Sequence, residues 1–354
     1  MPRVRLKDIA EKTNMSIYTV SSALSGRGQI SQSKREEVRR VAAEMGYQPN
    51  IAGRLLHVRE NRDMGLLLLG SSDELRRNVG FADFNLRFMQ LCKEAGIRHR
   101  TEWFSPQEHP KDLPGLLTEG LVGGVIIAGE PYGAVRQHLA GPNILPYVRL
   151  DGNDGHCVCF DWENALAQAV SRLARLGHSR IALLNGFETY QIYQDARRGY
   201  LHGLAAAGLP AEKELYWAPG TEVTLTERVR HGMAYLFDRN NELPTAVLAS
   251  GGLLAKSVVS WLQQNNLQVP GNVSVVAFGS ANWEAQNFIP TLSAVEYDYE
   301  LAASECVKLL GKLMGNDSRD APDRISIALD KYLIFRESTA PPPQSIGTVR
   351  RTPR

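Results

Sequence analysis

Six short apolar runs, spread between residues 65 and 278, constrain the fold of this chain more than any other feature. Each has the pattern of a strand that is buried on both faces. Helical stretches alternate with these runs, and the clearest extend from Trp162 to Leu176 and from Glu300 to Met314. This alternation is typical of an α/β fold with parallel sheets. The runs are 65–70, 124–128, 147–150, 181–184, 246–249 and 273–278.

The chain as a whole has the composition of an ordinary globular protein. It contains 354 residues, 43% hydrophobic and 22% charged, and this length suits two or three folded units. No apolar run is long enough to cross a bilayer, and no signal peptide precedes the charged start. We therefore expect a cytoplasmic protein with no membrane part.

The four cysteines indicate neither a disulfide framework nor a metal centre. They are Cys92, Cys157, Cys159 and Cys306. The close pair Cys157 and Cys159 lacks a second pair or a histidine cluster that would complete a metal site. Buried, reduced thiols are the better interpretation, and we predict no metal and no cofactor.

The N-terminal stretch from Leu6 to Leu24 has the pattern of two short helices joined by a tight corner. Apolar residues recur at helical spacing on both sides of Asn14, a residue type that tolerates positive φ. Ser16 is a good N-cap for the second helix. The spacing predicts a helix-turn-helix, a motif that lays its second helix in the major groove of DNA.

The outward side chains of this second helix are the candidates for contacts with DNA. Hydroxyl groups suit phosphate oxygens and bases, whereas Ile17 and the ring of Tyr18 suit a thymine methyl or a base edge. The alternative is a polar, solvated face on an ordinary helical hairpin. The predicted contacts are Ser16, Ile17, Tyr18, Thr19, Ser21 and Ser22, with Arg27 of the next loop as a phosphate contact.

The charge distribution favours a polyanionic partner for the N-terminal region. Residues 1–60 contain 11 Lys and Arg against 6 Asp and Glu, a net charge of +5, and the total of +2 leaves −3 for the rest of the chain. A basic head on a slightly acidic body is consistent with DNA binding by the head.

A third helix and a short linking segment follow. Ser33 to Glu36 has capping-box spacing, and it precedes an apolar stripe of Val38, Val41, Ala42 and Met45. The segment from Asn50 to Leu56 is too short to be stable as an isolated helix, and Gly53 weakens it further. It is either a plain linker or a hinge that folds on DNA and wedges a leucine into the minor groove. Its predicted DNA contacts are Asn50, Arg54 and Leu56.

These N-terminal motifs resemble those of the LacI/GalR family of transcriptional regulators. The matching residues are Lys7-Asp8-Ile9-Ala10, Ser16 with Thr19-Val20-Ser21, Gly46-Tyr47-x-Pro49-Asn50, and Leu56 at the hinge position. The resemblance extends to about Ser338. It implies a homodimer, or a tetramer, on a pseudo-palindromic operator of double-stranded DNA, with paired hinge helices inserting Leu56 and its symmetry mate at the central step.

The resemblance also implies the domain organisation. An all-α helix-turn-helix domain would occupy residues 1–48, a hinge 49–61, and a two-lobed α/β core 62–338, while the Pro-rich, basic composition of residues 339–354 predicts a disordered tail. The core would resemble a periplasmic binding protein with parallel sheets, and would bind the effector and dimerise. Lobe 1 would comprise about 62–161 and 291–324, and lobe 2 about 162–290 and 325–338, with crossovers near Asp161, 290–295 and 324–327.

The expected cleft departs from the pattern of relatives that bind sugars or purines. Ala196 stands where they carry an arginine, Gly251-Gly252 replaces an Asn-Asp pair, and only Asp151 is clearly retained. Each hydroxyl left without a partner would cost about 1–3 kcal/mol. We therefore expect an atypical, carbohydrate-related small molecule, with a protein partner or no effector as alternatives. The predicted contacts are Ser71, Asp151, Tyr190, Tyr193, Arg197, Gly252 and Trp283.

An enzyme on a Rossmann-like sheet is a remote alternative. The glycines from Gly120 to Gly124 precede a strand, whereas a dinucleotide fingerprint follows one and opens a helix. The P-loop, G-x-S-x-G and H-E-x-x-H motifs are missing from the sequence. A sensor without DNA binding is disfavoured by the basic head. We predict a sequence-specific transcription regulator, a repressor that is associated with the nucleoid when bound, and no enzymatic activity.

Overall fold

The computed structural model describes residues 6–25, 30–45, 61–71, 79–141, 144–220, 224–238, 242–280, 282–315 and 320–344. These stretches form two compact units. The head contains residues 6–45, and the body contains residues 62–117 and 121–344. Within the described stretches, no helix combines the length and the apolar character needed to cross a membrane.

Three helices form the head. They are α1 (Leu6–Thr13), α2 (Ile17–Ser25) and α3 (Gln32–Glu44). Because α3 begins before Ser33, this serine lies inside the helix and is not its cap. All three helices contribute to a small apolar core made of Ile9, Ala10, Val20, Ala23, Val38, Val41 and Ala42.

The corner between α1 and α2 has the geometry that the sequence predicts. Asn14 adopts a φ of 50°, the left-handed conformation that asparagine tolerates better than most residues. The side-chain oxygen of Ser16 accepts a hydrogen bond from the backbone N–H of Thr19 at 3.0 Å. The predicted corner and N-cap are therefore confirmed.

The body alternates strands and helices, as the apolar runs predict. Its strands are β1 (Met64–Leu69), β2 (His99–Phe104), β3 (Gly124–Ala128), β4 (Tyr147–Leu150), β5 (Cys157–Phe160), β6 (Ile181–Leu184), β7 (Tyr216–Trp217), β8 (Ala246–Ser250), β9 (Ser274–Ser280), β10 (Ser293–Glu296), β11 (Arg324–Ile327) and β12 (Leu333–Ile334). Its helices are α4 (Val79–Glu94), α5 (Gly115–Thr118), α6 (Gly133–Leu139), α7 (Trp162–Arg175), α8 (Gln191–Ala206), α9 (Leu225–Asp238), α10 (Gly252–Gln264), α11 (Asn282–Gln286) and α12 (Tyr299–Met314).

The strands form two six-stranded sheets, one in each lobe of the body. Lobe 1 has the strand order β11-β5-β4-β3-β1-β2, and lobe 2 has the order β12-β10-β9-β8-β6-β7. Paired strands run parallel throughout, except that β12 runs antiparallel to β10. The two-lobed α/β fold with parallel sheets is therefore confirmed.

Two of the three predicted crossovers are misplaced. The strand β10 pairs with β9 in lobe 2, so the chain returns to lobe 1 only after Glu296. The strand β11 pairs with β5 in lobe 1, so the final crossover follows Ile327. The sequence did not reveal this because β10 and β11 are four-residue strands whose sheet is decided by distant partners.

The predicted disordered tail begins too early. Residues 339–344 lie against lobe 2, where the hydroxyl of Thr339 bonds to that of Ser293 at 2.7 Å. The carbonyl oxygen of Ala340 accepts hydrogen bonds from His178 at 2.9 Å and from Ser274 at 3.0 Å. Partners from β9, from β10 and from the loop before β6 thus order a segment whose composition suggested disorder. Residues 345–354 lie outside the described residues.

Aromatic side chains pack where the two lobes are joined. Trp162, at the start of α7, is fully buried. Its ring lies 6.0 Å from Phe160 of lobe 1, 6.3 Å from Phe278 of lobe 2, and 5.0 Å from Tyr297 of the crossover, measured between centroids. This cluster joins the cores of both lobes next to the ends of β5 and β9.

Candidate functional site

The helix α2 presents an exposed apolar side chain in the part of the head that we predict to contact DNA. Ile17 is 49% exposed, although burial would be expected for an isoleucine in a structural helix. Ser16 and Thr19 are also accessible, and their hydroxyls form a hydrogen bond at 2.8 Å beside the cap. Ser22 is partly buried.

The remaining predicted DNA contacts cannot be placed in this surface. The side chains of Tyr18 and Ser21 lie outside the described part of the chain, as do residues Arg27, Asn50, Arg54 and Leu56. Their roles stay predictions.

A cavity of about 750 Å³ lies in the body, at the carboxyl ends of strands from both sheets. Ser71, Glu130 and Asp151 reach it from lobe 1, after β1, β3 and β4, while Ser250 and Gly279 reach it from β8 and β9 of lobe 2. Ligands of open α/β sheets bind at this edge. The cavity is therefore the candidate ligand site.

Five of the seven predicted effector contacts line this cavity. They are Ser71, Asp151, Tyr190, Tyr193 and Gly252. Arg197 lies elsewhere, because its guanidinium pairs with Glu188 at 3.5 Å and stacks over the Tyr216 ring at 5.2 Å. Trp283 is 51% exposed. Neither Arg197 nor Trp283 is among the residues that line the cavity, and their roles as effector contacts stay predictions.

Asp151 reaches the cavity from a left-handed backbone conformation with a φ of 54°. One carboxylate oxygen accepts a hydrogen bond from the backbone N–H of Phe160 at 3.1 Å, which holds the side chain in place. Burial raises the pKa of Asp151 to about 7, because desolvation disfavours the charged form. Near neutral pH both the neutral and the charged form of this carboxyl group are therefore populated.

Arg149 is a buried arginine that supports the lobe 1 wall of the cavity. It is only 1% exposed, and its Nη2 lies 3.3 Å from both the Glu130 carboxylate and the Gly129 carbonyl. Its Nη1 donates to Asp154 at 2.8 Å. Burial raises the pKa of Glu130, and Arg149 opposes that rise. A charged residue inside an apolar strand was the signal in the sequence that could have found it.

Lobe 2 contributes polar groups that the sequence analysis missed. Arg228 of α9 lines the cavity and donates through Nη2 to the Ser250 hydroxyl at 3.1 Å and to the Asn185 carbonyl at 3.2 Å. Its guanidinium lies 5.5 Å from the Phe187 ring centroid. Arg228 can donate a hydrogen bond to an oxygen atom of a ligand in this cavity.

The glycine at position 252 makes room for a carboxylate. A Cβ there would overlap the carboxylate of Glu284 and lie 2.6 Å from the Ser280 hydroxyl, so only glycine permits this approach. Glu284 is buried, lines the cavity and accepts a hydrogen bond from Ser280 at 3.2 Å. The Gly251-Gly252 pair, which stands in place of an Asn-Asp pair, therefore does not leave this part of the cavity without polar groups. Glu284 of α11 lies beside Gly252.

Two hydrogen bonds connect the lobes beside the cavity. The indole N–H of Trp283 in lobe 2 donates to Asp83 of α4 at 3.2 Å. The amide of Asn153 in lobe 1 donates to Gln191 of α8 at 2.9 Å. These contacts hold the lobes in the arrangement seen here. In the part of the chain that the structure describes, no group of three or more His, Cys, Asp or Glu residues could hold a metal ion.

Two families match separate parts of this chain. Residues 5–50 match the family described as "Bacterial regulatory proteins, lacI family". Residues 170–339 match the family described as "Periplasmic binding protein-like domain". The first match covers the head. The second covers most of lobe 2, together with α12 and β11, which belong to lobe 1.

Curated relatives align along nearly the whole chain. The HTH-type transcriptional regulator AglR of Rhizobium meliloti is 26% identical, and the alignment covers 96% of this chain and 95% of AglR. The HTH-type transcriptional repressor CytR of Escherichia coli is 25% identical, with 94% and 96% covered. These relatives are transcription regulators, the class that the sequence predicts for this chain.

Solved structures share the fold. The transcriptional regulator CelR in complex with cellobiose superimposes with a TM-score of 0.66 at 23% identity, over 95% of this chain and all of that chain. A lac repressor dimer bound to operator and the anti-inducer ONPF gives a TM-score of 0.65 at 20% identity, over 96% of this chain and all of that chain.

Proposed function

This chain belongs to the LacI family of bacterial DNA-binding transcription regulators, and we propose that it is a repressor that binds a pseudo-palindromic operator as a homodimer. A small molecule in the body cavity would control its affinity for DNA. The observation that carries the proposal is the capped helix-turn-helix of residues 6–25, which exposes Ile17 on its second helix. We propose that the protein works in the bacterial cytoplasm, at the nucleoid when bound.

Selection of binding sites from random duplex DNA tests this function. A homodimer that places two α2 helices in successive major grooves should select a two-fold symmetric sequence with half-sites about 10 base pairs apart. Recovery of an asymmetric site would contradict the dimer. Failure to enrich any sequence at physiological salt would contradict sequence-specific binding.

Leu56→Ala should weaken operator binding strongly without affecting assembly. We propose that Leu56 is the hinge residue that wedges into the minor groove, a contact that offsets the cost of unstacking base pairs. Operator affinity is measured by fluorescence anisotropy, and assembly by sedimentation. The matched control is Leu55→Ala, and an equal loss of affinity in both variants would contradict the assignment of the wedge to Leu56.

The surface of α4 is our candidate for the lobe 1 part of the dimer interface. Leu86 is 59% exposed and Met89 is 39% exposed, and both lie on the helix face that also exposes Ala82 and Lys93. Trp103 of the neighbouring edge strand β2 is exposed as well. Exposed apolar side chains on a stable domain commonly mark such interfaces.

Leu86→Glu should therefore shift the protein towards monomers. A carboxylate on each copy would have to be buried in the dimer beside apolar surface, and that burial is costly. Sedimentation equilibrium measures the change. Leu201→Glu on α8 is the matched control, since Leu201 is also an exposed leucine. Equal dissociation of both variants, or of neither, would contradict the α4 interface.

The proposed effector is a carbohydrate-related small molecule, held in an unusual way. A cavity of about 750 Å³ has the size of small-molecule sites, and the structurally similar CelR is described in complex with cellobiose. Polar groups from both lobes face the cavity, including Asp151 and Arg228. A ligand that contacts both lobes would bias their relative position and thereby couple the cavity to DNA binding.

A further inference from the structure

The titratable side chains of the cavity wall are predominantly acidic. Among the lining residues that the structure describes, five are carboxylates: Glu108, Glu130, Asp151, Glu227 and Glu284. Arg228 is the cationic residue in the same described set. Concentrated charge of one sign in a cleft attracts ligands of the opposite sign.

Neighbouring cations neutralise only part of this charge. Arg149 is shared between Glu130 and Asp154, so it adds no net positive charge to that group of three. The Lys256 ammonium lies 4.0 Å from the Glu284 carboxylate. Within the described residues, Asp151 forms no ion pair within 4 Å. Arg136 and Arg324 act on Glu130 and Asp151 at longer range, but among the described residues that line the cavity the acidic groups outnumber the cationic ones.

The hydrogen bonds of Glu227 favour the charged form of this lobe 2 residue. Its carboxylate accepts from the backbone N–H of Thr224 at 2.9 Å and from the Thr224 hydroxyl at 2.8 Å. These bonds lower the pKa of Glu227. Glu227 and Glu284 thus present acidic groups from lobe 2, opposite Glu130 and Asp151 from lobe 1.

Aromatic rings form the apolar part of the wall. Those that line the cavity include Phe81, Phe187, Tyr190, Tyr193, Tyr297 and Tyr299. The rings of Tyr297 and Tyr299 lie 4.4 Å apart, and those of Tyr190 and Tyr193 lie 6.2 Å apart. Aromatic faces bind organic cations through the ring quadrupole, and they also pack against the faces of sugar rings. Carboxylates among aromatic rings therefore suit a cationic organic ligand.

We propose that the ligand of this cavity is an amine with a positively charged nitrogen, such as an amino sugar. The inference rests on the proposed function, because it assigns the chemical class of the effector. A neutral sugar would fill the space and leave the acidic groups of both lobes without a cation between them, where like charges repel. An ammonium group placed between the lobes attracts the carboxylates of both, so this class of ligand favours lobe closure.

The first test compares three sugars that differ only in the charge at C6. Full-length protein without DNA is titrated calorimetrically at neutral pH with 6-amino-6-deoxyglucose, glucose and glucuronate. A second set compares 1,4-diaminobutane with 1,4-butanediol. In each set we expect the amine to bind at least about tenfold more tightly than its neutral counterpart, as close opposite charges allow, and we expect glucuronate not to bind.

Three results would overturn the proposal. They are equal or tighter binding of a neutral compound, tighter binding of glucuronate, and failure of both amines to bind. Operator selection uses no ligand, so its outcome is independent of these titrations. A protein that selects an operator but fails the titrations refutes the amine alone, whereas one that selects no DNA refutes the proposed function.

The variant Asp151→Asn tests the role of the carboxylate. Asparagine tolerates the φ of 54° at this position, and its carbonyl oxygen can still accept from the N–H of Phe160. We expect about a tenfold loss of affinity for the tighter-binding amine and little change for its neutral counterpart. Asp323→Asn is the matched control, since the Asp323 carboxylate is 95% exposed and lies outside the cavity. Unchanged amine affinity in Asp151→Asn would contradict the assignment.

Discussion

The variant Val20→Asp is expected to abolish operator binding while the body stays folded. Val20 is fully buried in the seven-residue core of the head, where α1, α2 and α3 meet. A core of this size supplies only about 3–5 kcal/mol of stability. A buried carboxylate without a partner costs about as much or more. We therefore expect the head of this variant to be mostly unfolded, and unfolding removes the surface of α2 that we propose contacts DNA.

Two measurements separate this outcome from general misfolding. Operator affinity is measured by anisotropy, and thermal unfolding is followed by circular dichroism, where the transition of the body should remain. Ser33→Asp is the matched control, because Ser33 is exposed in the first turn of α3, where an added acidic group is favourable. Retained operator binding in Val20→Asp would show that the head does not depend on this core.

Local signals explain why the head and the central strands could be predicted. The corner depends on Asn14 and its cap on Ser16, and both act within a few residues along the chain. The strands β1 and β3 are buried on both faces of their sheet, so an apolar run marks each one. In these elements the local preference of the chain and its final environment agree.

The edge strands and the cavity wall depend on contacts between distant residues. The edge strand β2 has the sequence HRTEWF with a mixed burial pattern, and it carries no continuous apolar run. Glu284 lines the cavity where a Cβ on residue 252 would meet its carboxylate, and Arg228 reaches the cavity from α9 on another part of lobe 2. Asp151 and Tyr193 line the cavity, whereas Arg197 of α8 pairs with Glu188 outside it.

Gly199→Leu should destabilise the body by more than about 3 kcal/mol, although leucine favours helices. Gly199 lies in α8 where this helix crosses α7, and a Cβ there would overlap the backbone carbonyl of Glu163. Replacing glycine inside a helix gains about 1 kcal/mol in intrinsic propensity. Overpacking costs about 1–3 kcal/mol when side chains can rearrange, and more is expected here because the obstacle is backbone.

The same pair of helices carries a second close approach that limits relaxation. A Cβ at Gly203 would lie 2.7 Å from the Val170 Cβ and 2.8 Å from the Ala167 carbonyl oxygen, so α8 cannot simply slide along α7. Gly220→Leu is the matched control, because a Cβ there meets nothing within 4 Å, and its stability should change by less than about 0.5 kcal/mol. Denaturant unfolding measures both variants. If Gly199→Leu were as stable as the control, helix propensity would outweigh the α7–α8 packing that positions Trp162 between the lobes.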